Sequence, residues 1–218
     1  MSNYLKLLLI RHAESLGNIE GRLEGQLSTP LSDKGHHQTQ QLAAYLHRQT
    51  PPTHLYSSPL QRAVETAQPL QQIADCPLRL ESALQELHQG IFPGLTWAEV
   101  NRRYPDLCAQ LTSSLNYQPV PEAETLSMAR QRARTWYRQL WQQHQAGDRV
   151  WIVSHGGLMQ QLIGVIMGCD RTWQIPIRHT ALFEFWLLGP KPTQTDRHNP
   201  EHWKIMKFNE TPHLNRNS

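Results

Sequence analysis

The run Leu7-Leu8-Leu9-Ile10 breaks abruptly into Arg11-His12, and this break constrains the fold more than any other stretch of the chain. Four consecutive large aliphatic side chains cannot alternate between a core and solvent, so both faces of the segment have to be covered. A strand covered on both faces belongs to an α/β sheet flanked by helices, where ligands collect beyond the carboxyl ends of the strands. Arg11 and His12 are therefore expected at a mouth and not in a core. The stretch Arg149-Val150-Trp151-Ile152-Val153-Ser154-His155-Gly156-Gly157 repeats the pattern, with an apolar strand, a histidine at its end, then glycines and a helix. If the two strands are parallel neighbours, His12 and His155 face each other at one edge of the sheet.

With 218 residues, 39% hydrophobic and 18% charged, the chain has room for one sizeable core. It is read as a single α/β domain over 1–218, a three-layer sandwich with a mostly parallel central sheet and helices on both faces. The formal charge is +3, but no run of five Lys or Arg occurs, which argues against a nucleic-acid partner and leaves a small anion open. Cys76, Cys108 and Cys169 are far apart and form no Cys-x-x-Cys pair, so they read as buried free thiols in a reducing, cytoplasmic setting, without a zinc site. The apolar stretch 5–10 is too short for a secretory core, and no segment approaches 18 apolar residues, so no membrane partner is expected.

Residues 14–30 have loop composition, with Gly17, Gly21, Gly25 and Pro30 beside the first strand. Ser32 caps a helix whose His36 and His37, pointing about 100° apart, make a poor chelate and read as solvated. His54 to Ser57 reads as a strand. Ser58, Pro59 and Gln61 then specify a helix start, with Ala63, Ala67, Leu70 and Ala74 inward and Arg62 in the first turn, where anions are favoured. A short extended segment follows at 77–80, then a loop with Glu86, Gly90 and Gly94. The mixed region 91–124 reads as a lid-like insertion with one short helix at 97–104. A long amphipathic helix carries Leu126, Ala129, Ala133, Trp136 and Leu140 inward and Arg130, Arg132, Arg134 and Arg138 on a solvated face. Strand-like runs at 181–188 and 202–208 flank a Pro-rich turn at 189–200, and the last ten residues read as a frayed tail.

Taken together, Arg11-His12-Ala13-Glu14-Ser15 with Asn18, Gly21-Arg22 and Gly25, then Ser57-Ser58-Pro59-Leu60-Gln61-Arg62, Glu86 with Gly90 and Gly94, and Ser154-His155-Gly156-Gly157 resemble the histidine phosphatase superfamily, the phosphoglycerate-mutase-like proteins. The resemblance implies that His12 is a nucleophile that becomes phosphorylated and that Glu86 donates a proton. It also implies that Arg11, Arg62 and His155 hold the phosphoryl group, with Asn18, Gly25 and Gly156 among the substrate-binding residues. Ala13 replaces a usual Gly, Ser28 a usual Asp, and Arg178-His179-Thr180 stands where Asn is common.

The chemistry is consistent with those roles. Two guanidiniums supply the positive charge that phosphoryl transfer requires, so neither a metal nor a cofactor is called for. Nearby arginines keep an imidazole unprotonated and nucleophilic, and a carboxyl group beside a phosphate dianion is favoured in its protonated form. The expected activity is hydrolysis of a small phosphorylated metabolite by a monomer or homodimer. A phosphoglycerate-type mutase and a non-catalytic phosphate-binding module are the alternatives.

Overall fold

In the computed structural model, which describes residues 3–114, 118–171, 173–188 and 199–214, six strands form one sheet. They are β1 (Tyr4–Arg11), β2 (His54–Ser57), β3 (Leu78–Leu80), β4 (Arg149–Ser154), β5 (Leu182–Leu188) and β6 (Trp203–Glu210). Their spatial order is β3-β2-β4-β1-β5-β6, with β5 antiparallel to both its neighbours and the remaining pairs parallel. β1 and β4 are thus adjacent and parallel, as the two histidine-ended strands require, and Arg11 lies in register with Ser154.

Alternate residues of β1 serve two different cores. Leu5, Leu7 and Leu9 join Val150 and Ile152 under α6 (Leu126–Gln143) and α7 (Gly156–Ile166), through Ala133, Trp136, Leu158 and Leu162. Leu8 and Ile10 join Leu55, Trp151 and Val153 under α2 (Asp33–Leu46) and α3 (Gln61–Ile73), through Leu42, Ala63, Ala67 and Leu70. Complete burial of Leu9 and Ile10 on opposite faces is the three-layer arrangement expected from the uninterrupted aliphatic run. A helix of the described residues long and apolar enough to cross a membrane is absent.

Several local expectations are corrected. The helix after β2 starts at Gln61, with Leu60 as its N-cap and no side-chain cap; Ser58 lies before the helix, its hydroxyl accepting from the Leu60 N–H at 3.3 Å and meeting His155 Nε2 at 2.8 Å. The loop after β1 contains a short helix, α1 (Leu16–Ile19), closed by a reciprocal capping box between Ser15 and Asn18. The region 91–124 holds two helices, α4 (Trp97–Arg103) and α5 (Pro105–Ser113), packed through Phe92, Val100 and Cys108 into a separate small cluster. The cysteines are free, but only Cys108 is fully buried. The arginines of α6 form a solvated face only in part: Arg138 is exposed and Arg134 pairs with exposed Asp170, whereas the more buried Arg130 and Arg132 pair with Asp170 and Glu124. The expected tail is docked through Leu214. Asn209 donates to the Pro176 carbonyl at 3.0 Å, and the His213 ring meets the Thr180 hydroxyl at 2.8 Å. Residues 189–198 of the expected Pro-rich turn, and 215–218, lie outside the described residues.

Candidate active site

Parallel pairing of β1 and β4 delivers His12 and His155 to one edge. The His12 N–H donates to the Ser154 carbonyl at 2.9 Å, and the two rings stand 5.0 Å apart, centroid to centroid. Both residues are buried, at 2% and 0% exposure. His12 Nδ1 lies 2.7 Å from the Ala13 carbonyl, an acceptor only, so Nδ1 carries the proton and Nε2 keeps its lone pair. Burial, then His155, Arg11 and Arg62, hold the His12 pKa well below the ordinary histidine range. Burial and the two arginines do the same to His155. An imidazole that stays neutral is one that can attack phosphorus.

The two arginines are anchored by outer nitrogens, and neither Nε makes a hydrogen bond, although Arg62 Nε faces Glu24 Oε2 at 3.7 Å. Arg11 donates through Nη1 to the Ile177 carbonyl at 2.5 Å. Arg62, 1% exposed, donates through Nη1 to the Leu27 carbonyl and through Nη2 to the Gly25 carbonyl at 2.7 and 2.8 Å. Arg11 Nε, Arg62 Nε and His155 Nδ1 are all buried without a hydrogen-bond partner. Buried polar groups are almost always paired, so three orphans around one imidazole describe a place for an oxyanion. Burial lowers the pKa of each guanidinium from its ordinary value, yet both remain cations.

Glu86 is held across the start of α7. Its Oε1 accepts from the Leu87 and Leu158 N–H groups at 2.9 and 3.0 Å, and its Oε2 from the Gly157 N–H at 3.0 Å. A Cβ on Gly157 would fall 2.5 Å from Oε1, so glycine is what lets the carboxylate sit there. Arg132 fixes the loop that carries it, donating to the carbonyls of Ala83 and Gln85 at 2.8 Å each. This arginine positions the Glu86 loop; its place on a polar helix face hid that role in the sequence.

The remaining expected residues divide. Gly156 opens α7 with its Cα beside Arg11, since a Cβ there would lie 3.6 Å from Arg11 Nε. Gly25, at φ +48°, turns its carbonyl onto Arg62 and so orients that side chain. Asn18 is engaged within the loop: its Nδ2 donates to Glu24 at 2.9 Å and its Oδ1 accepts from the Ser15 N–H at 3.2 Å.

Three site residues were not recognised from sequence. Glu24 is buried and accepts from the hydroxyls of Ser15 and Thr29 and from Asn18, 3.7 Å from Arg62 Nε. Its one signal was a carboxylate beside Gly25 in the loop facing Arg62. Ser58 holds His155 Nε2 at 2.8 Å. His179 stands 6.0 Å from His12, ring to ring, with Nε2 buried and unpartnered, and burial brings its pKa down to about 4.

Residues 7–199 match the family model of the histidine phosphatase superfamily, branch 1. The chain is 31% identical to a metal-independent phosphoserine phosphatase of Arabidopsis thaliana over 74% of its own length and 68% of the relative's. It is 29% identical to phosphoserine phosphatase 1 of Hydrogenobacter thermophilus over 96% and 94% of the two chains. The fold matches the crystal structure of an alpha-ribazole phosphatase from Shigella flexneri with a TM-score of 0.77, covering 95% and 97% of the chains at 22% identity.

Proposed function

The chain belongs to the histidine phosphatase superfamily, and from that premise we propose that it is a phosphomonoesterase that cleaves small phosphorylated metabolites through a phosphohistidine on His12. The observation that carries this reading is the open lone pair of His12 Nε2 amid the unpartnered Arg11 Nε, Arg62 Nε and His155 Nδ1, the last a donor when the Ser58 hydroxyl gives its proton to His155 Nε2. Nε2 attacks phosphorus in line with the ester oxygen, while the guanidiniums, His155 and the Gly156 N–H spread the charge of the equatorial oxygens. No metal is needed to supply that charge.

The charge count supports Glu86 as proton donor. Two guanidiniums face two carboxylates, Glu24 and Glu86, so the ligand-free site is near neutral, and a dianionic ester makes it negative. Glu24 is committed to Ser15, Thr29, Asn18 and Arg62, whereas Glu86 acts more strongly on Arg11 and has to release one of its three backbone N–H donors to carry a proton. Glu86 gives that proton to the departing alkoxide. It then takes one from the water that hydrolyses the phosphohistidine, releasing phosphate.

Phosphoserine heads the substrate panel because two relatives are named for it. Rapid quench with radiolabelled phosphoserine and peptide mapping should find an acid-labile, base-stable label on His12. Label on another residue would overturn the mechanism. Release of inorganic phosphate, as against transfer to a second hydroxyl of phosphoglycerate, distinguishes the phosphatase from a mutase, and a non-catalytic module would do neither.

A further inference from the structure

At the opposite ends of the same strands lies a second group of histidines that the proposed chemistry does not use. His54 opens β2, Asp148 immediately precedes β4, and His144 caps the end of α6. One ligand atom from each lies within 4.8 Å of the other two. The His54 and His144 rings meet edge to face, 4.3 Å between centroids. His144 is buried, and its Nδ1 has no hydrogen bond although it sits 3.5 Å from Asp148 Oδ2. A buried imidazole nitrogen and a carboxylate oxygen face each other with no hydrogen bond formed between them.

The neighbouring hydrogen bonds prepare both rings as ligands. Thr53 Oγ1 accepts from the Arg149 N–H at 3.0 Å and lies 2.9 Å from His54 Nδ1; in the arrangement where its own proton goes to the Arg149 carbonyl at 3.2 Å, it accepts from the His54 ring. Nδ1 then carries the proton, and Nε2 of His54 is left with its lone pair. His144 Nε2 contacts the Tyr56 hydroxyl at 3.0 Å, which can accept its proton and leave Nδ1 free to coordinate. Asp148 is steadied by the Gln145 N–H at 3.0 Å. Each imidazole is thus oriented through its other nitrogen, as metal-ligating histidines are. Arg79, which donates to the Tyr56 hydroxyl at 3.4 Å, is a cation beside the site; Asp148 supplies the opposing charge.

We propose that His54, His144 and Asp148 form a binding site for a divalent transition-metal ion of the zinc class, remote from the catalytic edge, with a fourth position open to water. Two imidazoles and one carboxylate suit zinc and its neighbours and not calcium or magnesium, which take oxygen ligands. Metal–ligand bonds of about 2.0–2.2 Å require the three groups to close by roughly 1 Å. The site joins the end of α6 to the starts of β2 and β4, so its occupancy is read as stability and not as turnover.

The test is titration of the chelator-stripped full chain with cobalt(II) and zinc(II), followed by calorimetry, visible absorption and thermal unfolding. One equivalent should bind, with cobalt absorption in the visible, and zinc should raise the melting temperature. His54→Gln and Asp148→Asn should each weaken binding at least ~10-fold and abolish the zinc-dependent thermal shift, and Thr53→Val should weaken it by ~10–100-fold. Asp148→Asn retains an oxygen for the Gln145 N–H, and His54 is only half-buried, so both variants should fold and keep their phosphatase activity without metal. Absence of a bound equivalent would overturn the proposal. So would binding that survives both substitutions, which would place the ion at the catalytic histidines or at exposed His36 and His37.

Discussion

The two ends of the central strands each gather a pair of histidines, and their companions give the pairs opposite chemistry. At the carboxyl ends, His12 and His155 share their surroundings with Arg11 and Arg62, whose Nε atoms make no hydrogen bond. At the amino ends, His54 and His144 lean towards Asp148. Burial disfavours the imidazolium at both ends: His12, His155 and His144 all have pKa values below the ordinary one, with burial as the leading cause. Both ends of the sheet thus hold a buried imidazole whose charged form is disfavoured, and the neighbouring charge decides whether an anion or a cation completes the site.

The largest effect that would break this contrast is removal of the proposed nucleophile. His12→Ala should lower turnover on the order of 10⁴ to 10⁶-fold and abolish the phosphoenzyme, while His54→Gln leaves steady-state rates unchanged. If both substitutions cost similar activity, the two ends are not functionally distinct. Next comes Glu86→Gln, measured in single turnover. An alkyl ester should lose ~10² to 10⁴-fold in the phosphorylation step, and a nitrophenyl ester clearly less, because only the alkoxide needs a proton. Gln cannot accept from all three N–H groups that hold Glu86, so some misplacement affects both substrates, and the difference between them carries the result. Equal losses would make Glu86 a positioning residue.

A smaller effect, in stability, probes the buried ion pair behind the anion site. Arg62→Met leaves Glu24 buried without its cation and should cost about 3–5 kcal/mol in denaturant unfolding. Adding Glu24→Gln should restore much of that stability without restoring activity. No recovery in the double variant would mean that the carbonyl anchors of Arg62 to Gly25 and Leu27, and not its pairing with Glu24, dominate its contribution.

Much of the catalytic end was legible because strand ends announce themselves. The aliphatic runs before His12 and His155 specify doubly covered strands, and parallel pairing brings their ends together. Glu24 was not legible, since a carboxylate in a glycine-rich loop looks solvated until the loop folds over Arg62. Ser58 misled for a related reason: beside Pro59 it carries a strong helix-capping signal, but it lies before the helix and bridges the Leu60 N–H and the His155 ring. Arg132 shows the same limit, because helical periodicity reports which face is polar but not which carbonyls a long side chain reaches. The amino-end group is assembled from residues about ninety apart in sequence, and only the pairing of β2 with β4 brings them together.

A pH dependence of stability also distinguishes the two ends by their ligands. His12 and His155 have folded pKa values well below 6.5, and His179 and His213 are brought down to about 4, burial being the largest cause in each case. As pH falls below about 6.5, the unfolded chain takes up protons on these imidazoles while the folded chain does not. The stability is therefore fully present above the unfolded value and is lost as pH falls towards the folded values, approaching about 1.4 kcal/mol per pH unit for each such group. Thermal unfolding should show the melting temperature dropping between pH 6.5 and 5, before most carboxylates titrate. Sulfate remains a dianion throughout that window, and when bound among Arg11, Arg62 and His155 it favours the protonated imidazoles. Saturating sulfate should then raise the melting temperature and flatten its decline, because the folded complex now takes up protons too. Zinc at the amino end should do the reverse, steepening the acid side, because protons compete with the metal for His54 and His144. Equal slopes with and without sulfate would mean that the anion does not reach the buried histidine pair.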